Sequence, residues 1–481
     1  MNTFEKILYH LATKQFVPKV SLISLNKTFP QVYRGIKRGI EKGFIVERTI
    51  TIVSNKKRYK EDYLYITASG LRYLSSLDYD ELDWLNAVGK NVDFSSLIGK
   101  EGIHTQMMRR YLNIVSGAIA AEQAGAIVRP MFYNSISIEG IIAHYKDEPI
   151  QIEMDIEESY DEEYGDELTL TEDDIALFER DWDDYISSAG DDHRSFVVKS
   201  KDENNILPVI VGSAYGRYCK DKESKFSSGE DPCFYNCVDI KLMVTNLINS
   251  RGNGKRKWKD LSRIESEWTN KKVSEIARDI QNGKFVGLID TKINSYLMYS
   301  VIRGEIDWTE SDIRVAKSVL YSFIKNYSKN QSQDIGIHRA ILTVPSAKVF
   351  SDIFYGKSKK VVGEGFTEFI VVPISNDGTN YLREFINNNG FIDIEKRLIE
   401  TAISSEAFYP NKKTVNPKVF PLLDSEGIPM MIGIRFDLVK LEKVRRLMER
   451  YSDQEYGVIC FEWQVDYYKK FSDTIKIVSV N

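Results

Sequence analysis

The stretch "FPQVYRGIKRGIEKGFI" (residues 29–45) decides how the first eighty residues are read. Apolar Val32, Tyr33, Ile36 and Ile40 recur at three- and four-residue intervals. That spacing predicts an amphipathic helix from about Pro30 to Lys42 with these four side chains inward. The opposite face then carries Gln31, Arg34, Lys37 and Arg38. Thr28 suits an N-cap, Pro30 a first helical turn and Gly43 a C-cap. Gly35 and Gly39 each lower helix propensity by roughly 1 kcal/mol relative to Ala. Their expected use is close approach of the backbone to another helix or to a ligand.

Reading outward, "TFEKILYHLAT" has helical spacing, Val17-Pro18 marks a turn, and "KVSLISLN" reads as a short second helix. Downstream, "FIVERTITIV" and "RYKEDYLYIT" alternate as two strands joined by the polar tip "SNKKR", and "ASGLRYLSSL" closes the module as a helix. Three helices, a hairpin and a helix follow the winged-helix order, so residues 1–80 are read as a winged-helix DNA-binding domain. A helix carrying Arg and Gln outward fits the major groove, where these side chains reach base edges. Lys56, Lys57 and Arg58 at the hairpin tip would meet phosphates or the adjoining minor groove. The alternative is a module of the same fold used as a protein-contact surface.

The chain has 481 residues, enough for several domains, and a net charge of −5 that hides a strong asymmetry. Residues 1–80 hold 14 Lys and Arg against 7 acids, and residues 249–284 hold 10 against 5. Between Glu153 and Asp192 there are 18 Asp and Glu against a single basic residue, Arg180. Local basic balance of this kind points to nucleic acid even where the whole chain is acidic. No apolar run reaches membrane-spanning length and no signal peptide is read, so a cytoplasmic protein with no membrane partner is expected. Four cysteines (Cys219, Cys233, Cys237, Cys460) in so long a chain imply a reducing compartment and no disulfide framework.

The remaining pattern predicts an α+β or α/β multidomain chain: a middle α/β region over 81–250 with an acidic insert at 153–192, and a C-terminal α/β domain over 251–481. A helix is expected over "TQMMRRYLNIVSGAIAAEQAGAIV", and a hairpin turning at Lys146-Asp147. From Lys284 onward strands and helices alternate, which predicts a mostly parallel or mixed sheet covered by helices.

Several groups bear on chemistry. The loop "NSRGNGKRKWKDLSR" (249–263) offers Arg251, Lys255, Arg256 and Lys257 to phosphates and Trp258 to a base. It is not a P-loop, because Arg256 stands where a hydroxyl would hold magnesium. The five histidines lie far apart and no zinc spacing follows Cys233 and Cys237, so no metal site is expected. Asp239-Ile240-Lys241 has an acid-x-Lys form. With Asp155 or Glu153 it would suit a magnesium-dependent nuclease, the one reading that needs a cofactor. A Tyr nucleophile is neither excluded nor chosen among 27 tyrosines. The acidic stretch is read as a solvated surface or as an internal mimic of DNA covering the basic surface.

The segments "FYNCVDIK" (234–241), "ARDIQNGKFVGLI" (277–289), "YLMYSVIRGEIDWTESD" (296–312), "VVPISNDGTNYL" (371–382) and "YGVICFEWQVDYYKKF" (456–471) follow the N-terminal module. In this order the chain resembles winged-helix proteins of plasmids and conjugative elements of Firmicutes, loosely similar to the replication-relaxation family. The resemblance implies a Tyr-Ser-Ser-x-Glu-Ile-Lys stretch where Asp239 and Lys241 stand, and Ser-Arg-x-x-Gly where Arg278 and Gly283 or Gly287 stand. Here Asp239 replaces the Glu and Ala277 the Ser. The resemblance implies mobile-element DNA biology: plasmid replication initiation or maintenance on double-stranded DNA. A homo-oligomer and contacts with host replication or element proteins are expected with it. The alternatives are a nuclease or relaxase-like enzyme and an assembly protein.

Overall fold

The computed structural model describes residues 1–79, 105–128, 143–144, 196–199, 206–207, 231–241 and 279–480, apart from short breaks at 15, 26–28, 55–56, 78, 238–239, 281–282, 304–305, 307, 329–336, 357–364, 388 and 413–415. The fold is mixed α+β, with sheets of mixed strand orientation. Among the described residues no helix is long and apolar enough to cross a membrane.

The N-terminal module begins with α1 (Thr3–Lys14), whose apolar stripe of Phe4, Ile7, Leu8 and Leu11 is buried. The expected turn at Val17-Pro18 is instead a short strand, β1 (Val17–Pro18), paired antiparallel with Leu64 and Tyr63. The expected second helix is a 3-10 segment, Lys19–Ser24. Helix α2 (Phe29–Glu41) follows, then β2 (Ile45–Ser54) and β3 (Lys57–Ile66) in one long hairpin, then α3 (Ala68–Ser75). Gly43 ends α2 with φ +68°. Its N–H donates to Ile40 O at 2.9 Å and the Phe44 N–H donates to Gly39 O at 2.8 Å, the paired bonds of a Schellman end. The expected N-cap Thr28 lies outside the described residues.

Helix α4 (Thr105–Gln123) joins this module to the rest. A six-stranded sheet follows in the order β12-β11-β10-β9-β8-β4. Its strands are β4 (Ile127–Val128), β8 (Cys233–Asn236), β9 (Gly287–Asp290), β10 (Ser295–Ser300), β11 (Arg339–Val344) and β12 (Glu368–Pro373). This sheet takes strands from both sides of residue 250. The short strands β5 (Ala143–His144), β6 (Phe196–Lys199) and β7 (Ile206–Leu207) form a separate sheet. Ala143 and His144 pair with Val197 and Phe196; the expected turn at Lys146-Asp147 lies outside the described residues. Helices α5 (Glu310–Asn326), α6 (Ala347–Phe354) and α7 (Asn376–Asn387) punctuate the six-stranded sheet. A five-stranded sheet ends the chain, preceded by α8 (Ile392–Ser404) and ordered β13-β14-β15-β16-β17. Its strands are β13 (Phe408–Pro410), β14 (Leu422–Asp424), β15 (Pro429–Ile432), β16 (Gly457–Phe461) and β17 (Lys476–Val480), with α9 (Leu438–Arg450) and α10 (Val465–Phe471) between the last three.

The two larger sheets repeat one plan. In the first, β8, β9 and β10 run antiparallel in succession, then β11 and β12 continue parallel to β10, with α5 and α6 as crossovers. In the second, β13, β14 and β15 run antiparallel, then β16 and β17 continue parallel, with α9 and α10 as crossovers. A helix, α4 or α8, precedes each. The exits of the central strands also correspond: Val301 N–H donates to Thr343 O at 3.0 Å, and Gly433 N–H donates to Ile459 O at 2.7 Å. Two residues later each unit places an arginine, Arg303 or Arg435. The corresponding helices α6 and α10 pack together through matching positions. Phe350 meets Tyr467 at 5.9 Å and Phe354 meets Phe471 at 5.5 Å between ring centroids. Like positions meeting like is the geometry of a two-fold interface, here within one chain.

Candidate nucleic-acid interface

Helix α2 sits on α1 and β2 through Val32, Gly35, Ile36 and Gly39, all buried. A Cβ on Gly35 would lie 2.7 Å from Ile7 Cδ1, and one on Gly39 would lie 2.3 Å from Ile45 Cδ1. The two glycines therefore serve close packing against the module's own core. They also roll the helix. With its contact line drawn through the glycines, Tyr33 and Ile40 move to the flank and are 50% and 39% exposed. The expectation that both point inward is corrected on this ground.

Gln31, Arg34, Lys37 and Arg38 are all exposed, as expected from their spacing. Arg34 Nε donates to Pro30 O at 3.2 Å, which holds its stem along the helix. Lys37 stands 3.8 Å from Glu41 in an exposed i,i+4 pair, a weak tether. The Arg38 guanidinium lies 5.1 Å from the Phe4 ring centroid, a cation–π contact that orients it at the α1 side of the helix. At the other flank Lys19 Nζ lies 5.8 Å from the Tyr33 ring centroid and 2.6 Å from Glu47 Oε1.

The hairpin adds charge on the same side. Strand residues two apart share a face, and paired residues share it across the ladder. Ile45 therefore lies on one face with Glu47, Lys60 and Arg58 through the register Ile45↔Ile66, Glu47↔Leu64, Thr51↔Lys60 and Val53↔Arg58. Ile45 is the residue that meets Gly39 of α2. Arg58 and Lys60 are exposed. The other face turns inward: Glu61, Tyr63 and Tyr65 are buried there. Glu61 accepts from Arg303 Nε at 2.7 Å. Burial pushes the Glu61 carboxyl up, and Arg303 opposes that shift. The module thus docks onto the first repeated unit with one hairpin face and keeps α2 with the basic residues on the other.

A second contact fixes this seam. The Tyr111 hydroxyl of α4 donates to Lys14 O at 2.7 Å. Glu122 lies 2.5 Å from Lys14 Nζ and 3.4 Å from His10 Nδ1. Arg383 of α7 donates to the carbonyl of Gln123 at 2.6 Å.

Of the other expected site residues, Lys57 pairs with Ser54 at the end of the hairpin, and its side chain lies outside the described residues. Lys56, Arg251, Lys255, Arg256, Lys257, Asp155, Glu153, Asp239 and Arg278 also lie outside them. Lys241 is 8% exposed, so of the acid-x-Lys pair only a buried lysine is seen. Lys60 and Lys19 were not singled out from the sequence. Lys60 had a signal, since it stands two residues from Arg58 on an alternating strand. Lys19 had none, because its role comes from the tertiary meeting with Tyr33 and Glu47. Comparison with protein-family models, with curated proteins and with solved structures gives no match.

Proposed function

We propose that residues 1–79 form a winged helix that binds double-stranded DNA, with α2 in the major groove and the β2–β3 hairpin as the wing. The observation that carries this is the shared side. Gln31, Arg34, Lys37 and Arg38 on α2 and Arg58 and Lys60 on the hairpin are exposed together, while docking to the rest of the chain uses the opposite hairpin face. Cations spread over a helix and a neighbouring ribbon match a groove and its flanking phosphates. The resemblance in motif order extends the reading to a cytoplasmic protein of a mobile element. It would act in plasmid replication initiation or maintenance by binding origin DNA as an oligomer and engaging host replication proteins.

The test is binding of the full-length chain to labelled duplex DNA across a salt series. Five phosphate contacts, one for each of Arg34, Lys37, Arg38, Arg58 and Lys60, would give a slope of roughly −4.5 in log K against log salt, and losing two lowers its magnitude by about 1.8. Arg34→Ala/Arg38→Ala is expected to weaken binding and flatten the slope by up to that amount. Absence of binding at low salt, or an unchanged slope in the double variant, overturns the reading.

A further inference from the structure

Tyr33 and Ile40 are two of the few large apolar side chains exposed among the described residues, and both stand on the thirteen-residue helix α2. Scattered exposed apolar residues need no explanation. These two share one flank, seven residues apart, with Lys37 between them and Arg34 beside Tyr33. The flank is held outward by construction, because Gly35 and Gly39 draw the opposite side of the helix onto Ile7 and Ile45. The Tyr33 ring is positioned as well: Lys19 lies 5.8 Å from its centroid and is anchored to Glu47 at 2.6 Å. A ring placed before its ligand arrives loses little freedom on binding.

We infer that the Tyr33–Ile40 flank reads the C5-methyl group of thymine in the major groove. The inference rests on the DNA-binding reading of α2. Among base edges in that groove, the thymine methyl is the apolar one, and apolar side chains select it. With the adjoining Lys37 and Arg34 on the same duplex, the apolar flank beside them is brought against the wall of the groove. A protein contact here would require a surface acidic and apolar in register with Lys37, and the experiment below separates that case from DNA. Tyr33 and Ile40 are about 10.5 Å apart along the helix, which corresponds to about three base-pair steps at 3.4 Å each.

The experiment uses the full-length chain. Duplex sites are selected from a random library, and each thymine of the best site is then replaced singly by deoxyuridine, which deletes only the methyl. Wild type is expected to lose about four-fold in affinity at one or more positions, the factor for removing one buried methyl. Tyr33→Ala/Ile40→Ala should bind thymine and deoxyuridine sites alike, with the salt slope of wild type retained. Because both side chains are exposed, this variant is expected to fold. If wild type binds all deoxyuridine sites as well as the thymine site, the inference falls while DNA binding stands. A double variant that keeps the discrimination and changes only the oligomeric state also overturns it, in favour of a protein contact. If no duplex is bound or selected, both readings fall together.

Discussion

Replacing Glu122 by Gln removes the countercharge of a lysine that has almost no other recourse. Lys14 is 1% exposed, and its ammonium meets Glu122 at 2.5 Å and the Thr13 hydroxyl at 3.2 Å. Breaking a buried pair from one side costs about 3–5 kcal/mol, because the remaining charge stays in low dielectric. The Glu122 side chain keeps 20% exposure, which selects the lower end, about 3 kcal/mol. For a cooperative unit of about 150–250 residues that is a fall of roughly 6–12 °C in the melting transition. Lys14→Met is expected to cost less, since the Glu122 side chain is more exposed than that of Lys14 and retains His10. The combined Lys14→Met/Glu122→Leu variant is expected to recover most of the loss, as apolar replacements of buried pairs do. With Glu122→Leu alone as a fifth protein, thermal and urea unfolding of wild type, Lys14→Met, Glu122→Leu and their combination form a double-mutant cycle. The pH dependence follows the same contacts. Burial alone would raise the Glu122 carboxyl, but Lys14 and His10 bring it well below its ordinary value of 4.5. Burial likewise lowers His10 below 6.5. Both folded values are depressed, so the unfolded chain takes up protons first and the seam weakens as pH falls. It is at full strength above 6.5, loses the His10 contribution below that value, and loses the Glu122 contribution below 4.5. A Glu122→Gln protein within 1 kcal/mol of wild type, or a double variant as unstable as the sum of the singles, would refute this account of the seam.

The two corresponding arginines differ in what they leave behind. Glu368 sits between Arg435 and Arg339, whose side chains are 21% and 17% exposed, so Glu368→Gln is expected to cost about 3 kcal/mol in urea unfolding. Arg303 is 50% exposed and free to hydrate, so Glu61→Gln is expected to stay within about 1 kcal/mol of wild type. His338 is lowered to about 4 by burial and by Lys317. Its folded value lies below the unfolded 6.5, so stability is expected to decline as pH drops from 6.5 towards 4, and His338→Phe should flatten urea midpoints between pH 7 and pH 5. Burial pushes the Cys460 thiol up to about 12. Peptide mapping after alkylation at pH 8 should find it unmodified in the folded protein and modified after unfolding.

The sequence made the regular elements legible where one periodicity dominated. The alternation of strands and helices expected from Lys284 onward is met by β9, β10, α5, β11, α6, β12, α9 and β16. The basic face of α2 was equally legible, since four polar positions at helical spacing leave no other arrangement. The roll of α2 was not. Tyr33 and Ile40 fit the apolar spacing as well as Val32 and Ile36 do. What turns them outward is the depth of contact at Gly35 and Gly39, and that depends on Ile7 and Ile45 in other elements. The short strands β4, β13 and β14 carry too few residues for a period to register. The repeated plan was hidden for a related reason. Its two copies share strand order and direction, which are set by pairing between distant segments. Their side chains differ, as with Phe350 opposite Tyr467.

The duplication also bears on how the basic module is carried. Arg303 and Arg435 leave corresponding strands two residues after corresponding hydrogen bonds, and each reaches a buried glutamate in the preceding part of the chain. Arg435 meets Glu368 on β12 of the first unit, while Arg303 meets Glu61 on β3 of the N-terminal module. One device thus fastens the second unit to the first and the first to the module. Further contacts join in at both seams. The Phe436 carbonyl accepts from Val371 N–H at 2.8 Å along β12, and the Tyr111 hydroxyl donates to Lys14 O at the module. Segments joined only by a linker reorient freely, whereas a buried interface with specific polar contacts holds one orientation. The inner hairpin face is buried over Glu61, Tyr63 and Tyr65, so the module belongs to the second kind. The exposed side of α2 is then fixed relative to both repeated units, and a ligand bound there is presented to them in one orientation.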